Sequence, residues 1–127
     1  MANSWIADDQ KLEAGNVSVG DGATDTVVSK AFRVTAGGAA RMKIGVKIDN
    51  TGGGNVSYKL QYAALDGETY EDAKTSANKT DDGWLFLDWL GPDETTGALL
   101  GGTARIAVST AGGTTAEIES VLIWQEN

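Results

Sequence analysis

Apolar and polar residues alternate along two adjoining stretches of this chain, and glycine interrupts them. Over residues 41–49, Met42, Ile44, Val46 and Ile48 fall on one side, with Arg41, Lys43 and Lys47 on the other. After Thr51-Gly52-Gly53-Gly54-Asn55, residues 56–62 repeat the pattern, setting Val56, Tyr58, Leu60 and Tyr62 against Ser57, Lys59 and Gln61. A period of two sends successive side chains to opposite faces of a pleated strand. The stretch therefore reads as two half-buried antiparallel strands joined as a hairpin by a glycine turn.

Further strands are predicted at residues 26–35, 84–90, 103–110 and 114–124, the last two forming a second hairpin around Ala111-Gly112-Gly113. Short extended pieces are predicted at 16–19 and 69–72. Helical signal is confined to residues 4–14, where Ser4 could cap a turn and Trp5, Ile6 and Leu12 have rough helical spacing. An extended arm fits that segment equally well. Polar stretches at 65–83 and 91–102, the latter holding the single proline Pro92, read as loops on which partner contacts commonly sit. The expected fold is all-β: a single-domain antiparallel β-sandwich, Ig-like or jelly roll, of seven to eight strands. Residues 1–15 would form an N-terminal arm or short helix and residues 16–127 the sandwich.

Two strands carry more apolar side chains than such a sandwich can hide. In residues 84–90, Trp84 and Phe86 point one way while Leu85, Leu87 and Trp89 point the other; Val121-Leu122-Ile123-Trp124 behaves alike. A two-layer sandwich covers one face of each sheet. The second face must then be covered by a loop or the N-terminal segment, or serve as an oligomer or docking surface. The interface candidates are Trp84, Phe86, Trp89 and Trp124, joined by Trp5 and Ile6 of the N-terminal arm, since aromatic side chains dominate binding hot spots. A flat platform for sugar rings, built from Trp84, Trp89 or Tyr70, is a further possibility.

Charge and composition narrow the chemistry. The 127 residues suit one domain, and a net charge of −8, from 18 acidic and 10 basic side chains, repels phosphate backbones and anionic lipid. Neither a nucleic-acid nor a membrane partner is expected. The opening residues lack the basic and apolar regions of a secretory signal, so the sequons at Asn16, Asn55 and Asn78 read as chance. With no histidine and no cysteine, the usual general base, thiolate nucleophiles and ordinary zinc ligands are missing. Gly52-Gly53-Gly54 is followed by Asn55 rather than by the lysine of a phosphate-binding loop.

Carboxylate doublets at Asp8-Asp9, Glu71-Asp72, Asp81-Asp82 and Asp93-Glu94 could in principle serve glycoside hydrolysis, but nearly all fall in predicted loops. Asp21-Gly22-Ala23-Thr24-Asp25, and Asp66-Gly67-Glu68 with Glu71-Asp72, offer hard oxygen ligands of the kind calcium takes. Asp-Gly is also a common turn dipeptide. The reading that results has no catalytic residue, no cofactor and no metal.

Some stretches resemble known types. Residues 56–62 followed by Asp66-Gly67-Glu68-Thr69-Tyr70-Glu71-Asp72 resemble a strand, turn and short strand of Ig-like or fibronectin-like sandwiches, and residues 104–124 resemble their closing hairpin. The whole, with short strands rich in Ala, Gly and Thr, is similar to accessory virion proteins of tailed bacteriophages, of the capsid decoration or cement type. That resemblance implies a chain made in the host cytoplasm and localised in the virion. Its implied partner is the major capsid protein or another virion protein, which it binds as a small homo-oligomer. A carbohydrate-binding β-sandwich module is the alternative.

Overall fold

In the computed structural model, residues 3–6, 17–34, 41–63, 69–89 and 102–126 are described. They form ten strand segments: β1 (Asn3–Ile6), β2 (Val17–Val19), β3 (Thr26–Val27), β4 (Phe32–Val34), β5 (Arg41–Thr51), β6 (Val56–Ala63), β7 (Glu71–Thr75), β8 (Gly83–Trp89), β9 (Gly102–Thr110) and β10 (Thr115–Glu126). Two antiparallel sheets result. In sheet I the order is β1–β10–β5–β8, with β2 sharing the β1 edge of β10; in sheet II it is β3–β9–β6–β7, with β4 sharing the β3 edge of β9. The ten segments therefore fill eight strand positions, the complement of a jelly roll.

The interior is built from the alternation. Met42, Ile44, Val46 and Ile48 of β5, Leu87 and Trp89 of β8, and Ile118, Val121 and Ile123 of β10 face Val56, Tyr58, Leu60 and Tyr62 of β6 and Ala104, Ile106 and Val108 of β9. The spacing 118, 121, 123 breaks a strict period of two. A bulge between Ile118 and Ser120 absorbs the extra residue and keeps all three inside. Tyr58 ties the layers together: its buried hydroxyl donates toward Leu85 O at 2.7 Å, with Ile44 O at 3.2 Å.

Several expectations are corrected. Neither glycine turn makes a hairpin. β5 pairs with β10 and β8, β6 with β9 and β7, so the connection at 52–55 is an arch from one sheet to the other. The connection at 111–114 is a second arch, joining β9 in sheet II to β10 in sheet I. The two arches lie side by side, and Gly54 N donates to Thr114 Oγ1 at 2.9 Å while Ala111 N donates to Asn55 O at 2.9 Å.

The strand expected at 26–35 is split. Five steps from Val27 to Phe32 oppose three from Ala107 to Ala104, and the buried Ser29 hydroxyl accepts the Ile106 N–H inside the irregularity. At the N-terminus, Asn3–Ile6 is a strand rather than the start of a helix, with Trp5 opposite Trp124 on β10. The aromatic and β-branched pair Trp5-Ile6 suits an edge strand. The rest of the segment expected as arm or helix, residues 7–15, lies outside the described residues.

Candidate functional site: the outer face of sheet I

Residues directly opposite in a ladder share a face, so the registers fix what sheet I presents outward. One row holds Trp84 beside Lys47 and Ser120, the next Phe86 beside Gly45 and Leu122, the next Asp88 beside Lys43 and Trp124. An apolar band thus crosses the sheet obliquely from Trp84 and Phe86 on edge strand β8 to Leu122 and Trp124 on β10. Phe86 is 58% exposed, and Trp84, Leu122 and Trp124 are half-buried.

Gly45 shapes the band. A Cβ there would come within 2.7 Å of Phe86 Cε1 and 3.3 Å of Trp84 Cε3, so both rings lie over the bare backbone. The rings stack nearly parallel, with centroids 6.0 Å apart and planes 14° from each other. Their arrangement needs a glycine on the neighbouring strand, a cross-strand pairing that also compensates the glycine's missing side chain.

Charges border the aromatics. Lys43 lies 3.9 Å from Asp88, both side chains exposed, and Lys47 3.6 Å from the half-buried Glu119. At one end of the face Asp49 is crowded by acids. Its carboxyl is pushed above the usual range chiefly by the Asp82 charge, then by slight desolvation and by Glu119 and Glu117. Asp82 also accepts the Asn50 N–H at 2.7 Å.

Sheet II presents the opposite character. Lys59 Nζ lies 3.3 Å from Asp25 and 3.0 Å from Asp72, and Gln61 donates to Asp72 at 3.2 Å. Arg105 donates to Gln61 at 2.8 Å and covers the Tyr70 ring at 4.0 Å; Tyr70 and Thr103 share a hydrogen bond at 3.0 Å. Hydrogen bonding to Lys59 holds the Asp72 carboxyl below its ordinary value and raises the Lys59 ammonium. One outer face satisfies its polar groups with one another; the other exposes aromatic rings.

The structure sorts the sequence candidates. Trp84, Phe86 and Trp124 share the outer face of sheet I. Trp89 does not join them: it is fully buried, tilted against Tyr62 with centroids 5.5 Å apart, so it belongs to the core. It is therefore absent from any surface platform, and Tyr70 lies on the outer side of sheet II beneath Arg105. Trp5 and Ile6 are placed by their backbone pairing with Trp124 and Ile123, and their side chains lie outside the described residues.

The first oxygen-rich turn, residues 21–25, has structural partners of its own. Asp21 accepts the Gly113 N–H at 2.6 Å, while Asp25, at φ +50°, accepts from Ser109 Oγ at 3.1 Å and pairs with Lys59. Asp66 and Glu68 lie outside the described residues. Sequence reasoning passed over Gly45, Lys43, Lys47 and Leu122 as parts of the site. Leu122 could have been found, because it alternates with the inward Val121 and Ile123.

No family model matches the chain, and no curated protein matches it. Solved structures do. An Eiger TNF from S. frugiperda superposes with a TM-score of 0.55 at 13% identity, over 98% of this chain and 91% of that one. A CBM4 protein, a carbohydrate-binding module, gives 0.56 at 14% identity, over 87% and 70%. A chain in the structure of infectious bursal disease virus, Gt strain, gives 0.55 at 11% identity, over 98% of this chain but 32% of that one. What this protein shares with all three is its fold, a two-sheet antiparallel β-sandwich.

Proposed function

We propose that this chain is a non-enzymatic structural protein of a virion, of the capsid decoration or cement type, that stabilises an assembled capsid. The carrying observation is the contrast between the two outer faces. Sheet II spends its polar groups internally, whereas sheet I displays Trp84, Phe86, Leu122 and Trp124 with no strand layer of the described residues over them. Apolar surface of this kind on a small, acidic domain suits assembly. A protein that binds only the assembled lattice stabilises it by mass action, and many copies reinforce one another. The virus chain of the same fold is compatible with this role.

The test is immunodetection of the chain in gradient-purified particles from its host, with particle melting followed before and after adding purified protein. Detection together with a raised melting temperature supports the role; particles free of the chain and indifferent to it overturn the role. One observation favours a second reading, carbohydrate binding: the near-parallel Trp84 and Phe86 rings could stack on a sugar. Titration with xylohexaose and cellohexaose, read by tryptophan fluorescence, separates the two. Saturable quenching supports the sugar reading, and an unchanged spectrum removes it.

A further inference from the structure

We infer that β8 pairs antiparallel with β8 of a second copy of this chain, edge to edge, so that sheet I continues from one copy into the next. This goes beyond the virion role proposed above and does not require it. Tyr58 fixes which way the backbone of β8 faces. Its hydroxyl lies 3.2 Å from Ile44 O on β5 and 2.7 Å from Leu85 O on β8, so both carbonyls open into the gap between those strands. Along an antiparallel ladder the N–H and C=O of one residue leave on the same side, and successive residues alternate sides. Leu85 and Leu87, opposite Val46 and Ile44, therefore bond to β5. Trp84, Phe86 and Asp88 turn their backbone groups away from it. The Asn50 N–H agrees: it leaves β5 on the same side as Ile44 O and reaches Asp82 Oδ1, just before β8, at 2.7 Å. β8 ends sheet I, so no strand of the described residues meets the outward groups.

The other sheet edges are guarded against pairing, and this one is not. β1, β2, β3 and β4 are pieces of 4, 3, 2 and 3 residues. β7 has 5 residues, carries Glu71, Asp72 and Lys74, and meets β6 across a bulge. Shortness, charge and bulges are the means by which sheet edges avoid other strands. β8 runs unbroken in register with β5 over the 7 residues Gly83–Trp89, with Asp88 its single charge.

A second β8 matches this edge. About a two-fold axis normal to the sheet at Phe86, Phe86 lies opposite Phe86 of the second copy and Trp84 opposite its Asp88. All three outward residues then exchange N–H···O bonds with outward residues. The two Asp88 carboxylates stand about 13 Å apart along the strands, whereas a register shifted by one pair toward Gly83 would set Asp88 against Asp82. An axis along the strands is excluded, because it joins the outer face of one copy to the core side of the other. With the axis normal to the sheet, both outer faces look the same way. The row of Leu122, Gly45 and Phe86 then runs on into Phe86, Gly45 and Leu122 of the second copy. Such a patch, matching itself, is what an isologous pair requires.

Sedimentation equilibrium of the full chain tests this in about 0.15 M salt, where repulsion between copies of net charge −8 is screened beyond about 8 Å. A concentration-dependent dimer is expected. Amide hydrogen exchange followed by NMR should find Leu85 and Leu87 protected at every concentration, and Trp84, Phe86 and Asp88 protected only where the dimer forms. Phe86, 58% exposed, sits on the axis and meets itself. Phe86→Lys and Phe86→Glu should therefore each weaken the dimer about tenfold or more, and an equimolar mixture of the two should associate about tenfold tighter than either alone. Thermal melts at low concentration check that both variants fold; should either not, the exchange pattern of the parent still decides. A chain monomeric at millimolar concentration, a dimer whose Trp84, Phe86 and Asp88 amides exchange as fast as in the monomer, or a mixture of folded variants no tighter than its components overturns the inference.

Discussion

Gly45 shows how one residue decides what a surface can do. It sits on the outward side of a central strand, where any larger side chain would lift Phe86 and Trp84 from the sheet. Its φ lies outside the left-handed region, so alanine is tolerated by the backbone and the conflict is purely one of space. Gly45→Ala should therefore leave the fold intact, since alanine's better strand entropy offsets part of the crowding; a net change within about 1 kcal/mol is expected in urea unfolding. The rings should move instead. Near-ultraviolet circular dichroism should lose the signal of the stacked pair. An unaltered near-ultraviolet spectrum would mean the rings do not rest on Gly45. Alternation in the sequence was enough to set Trp84 and Phe86 on the side opposite Trp89. The role of Gly45 was not legible, because a glycine amid alternating apolar residues looks alike whether it faces water or lies beneath a ring.

At the scale of elements, the strands were legible and their partners were not. Inward residues of β5 and β6 alternate in the same way whether the strands lie side by side or face each other across a core, since either arrangement buries one face. The four residues 52–55 likewise fit a hairpin or an arch. What selects the arch is long-range: β10 and β8 take both edges of β5, while β9 and β7 take both edges of β6. The two arches are then locked by contacts that local sequence does not announce. Thr114, almost fully buried, accepts the Gly54 N–H across the arches. Thr114→Val keeps the shape but leaves that donor unsatisfied, so a loss of about 1–3 kcal/mol is expected in urea or thermal unfolding. Thr114→Ser, which retains the hydroxyl, should recover most of it. Equal losses in the two variants would assign the cost to packing rather than to the hydrogen bond.

For the whole molecule, the uneven spread of charge predicts stability that grows on the acid side of neutrality. Asp49 binds its proton more tightly in the fold than its ordinary value of 3.8 allows, mainly because Asp82 stands beside it. The native state therefore gains on the unfolded chain as pH falls from 7 through that raised value. Asp72, held down by Lys59, acts oppositely: its contribution is complete above 3.8 and is lost only as pH falls through its lowered value. Asp81, held down by Lys79, follows Asp72. The two windows adjoin at the ordinary value of 3.8, so melting temperature should rise as pH falls toward it and decline below it. Asp82→Asn, whose amide oxygen can still accept from Asn50, should raise the melting temperature at pH 7, with a gain that shrinks in acid and in high salt. A gain constant with pH would refute the electrostatic cause.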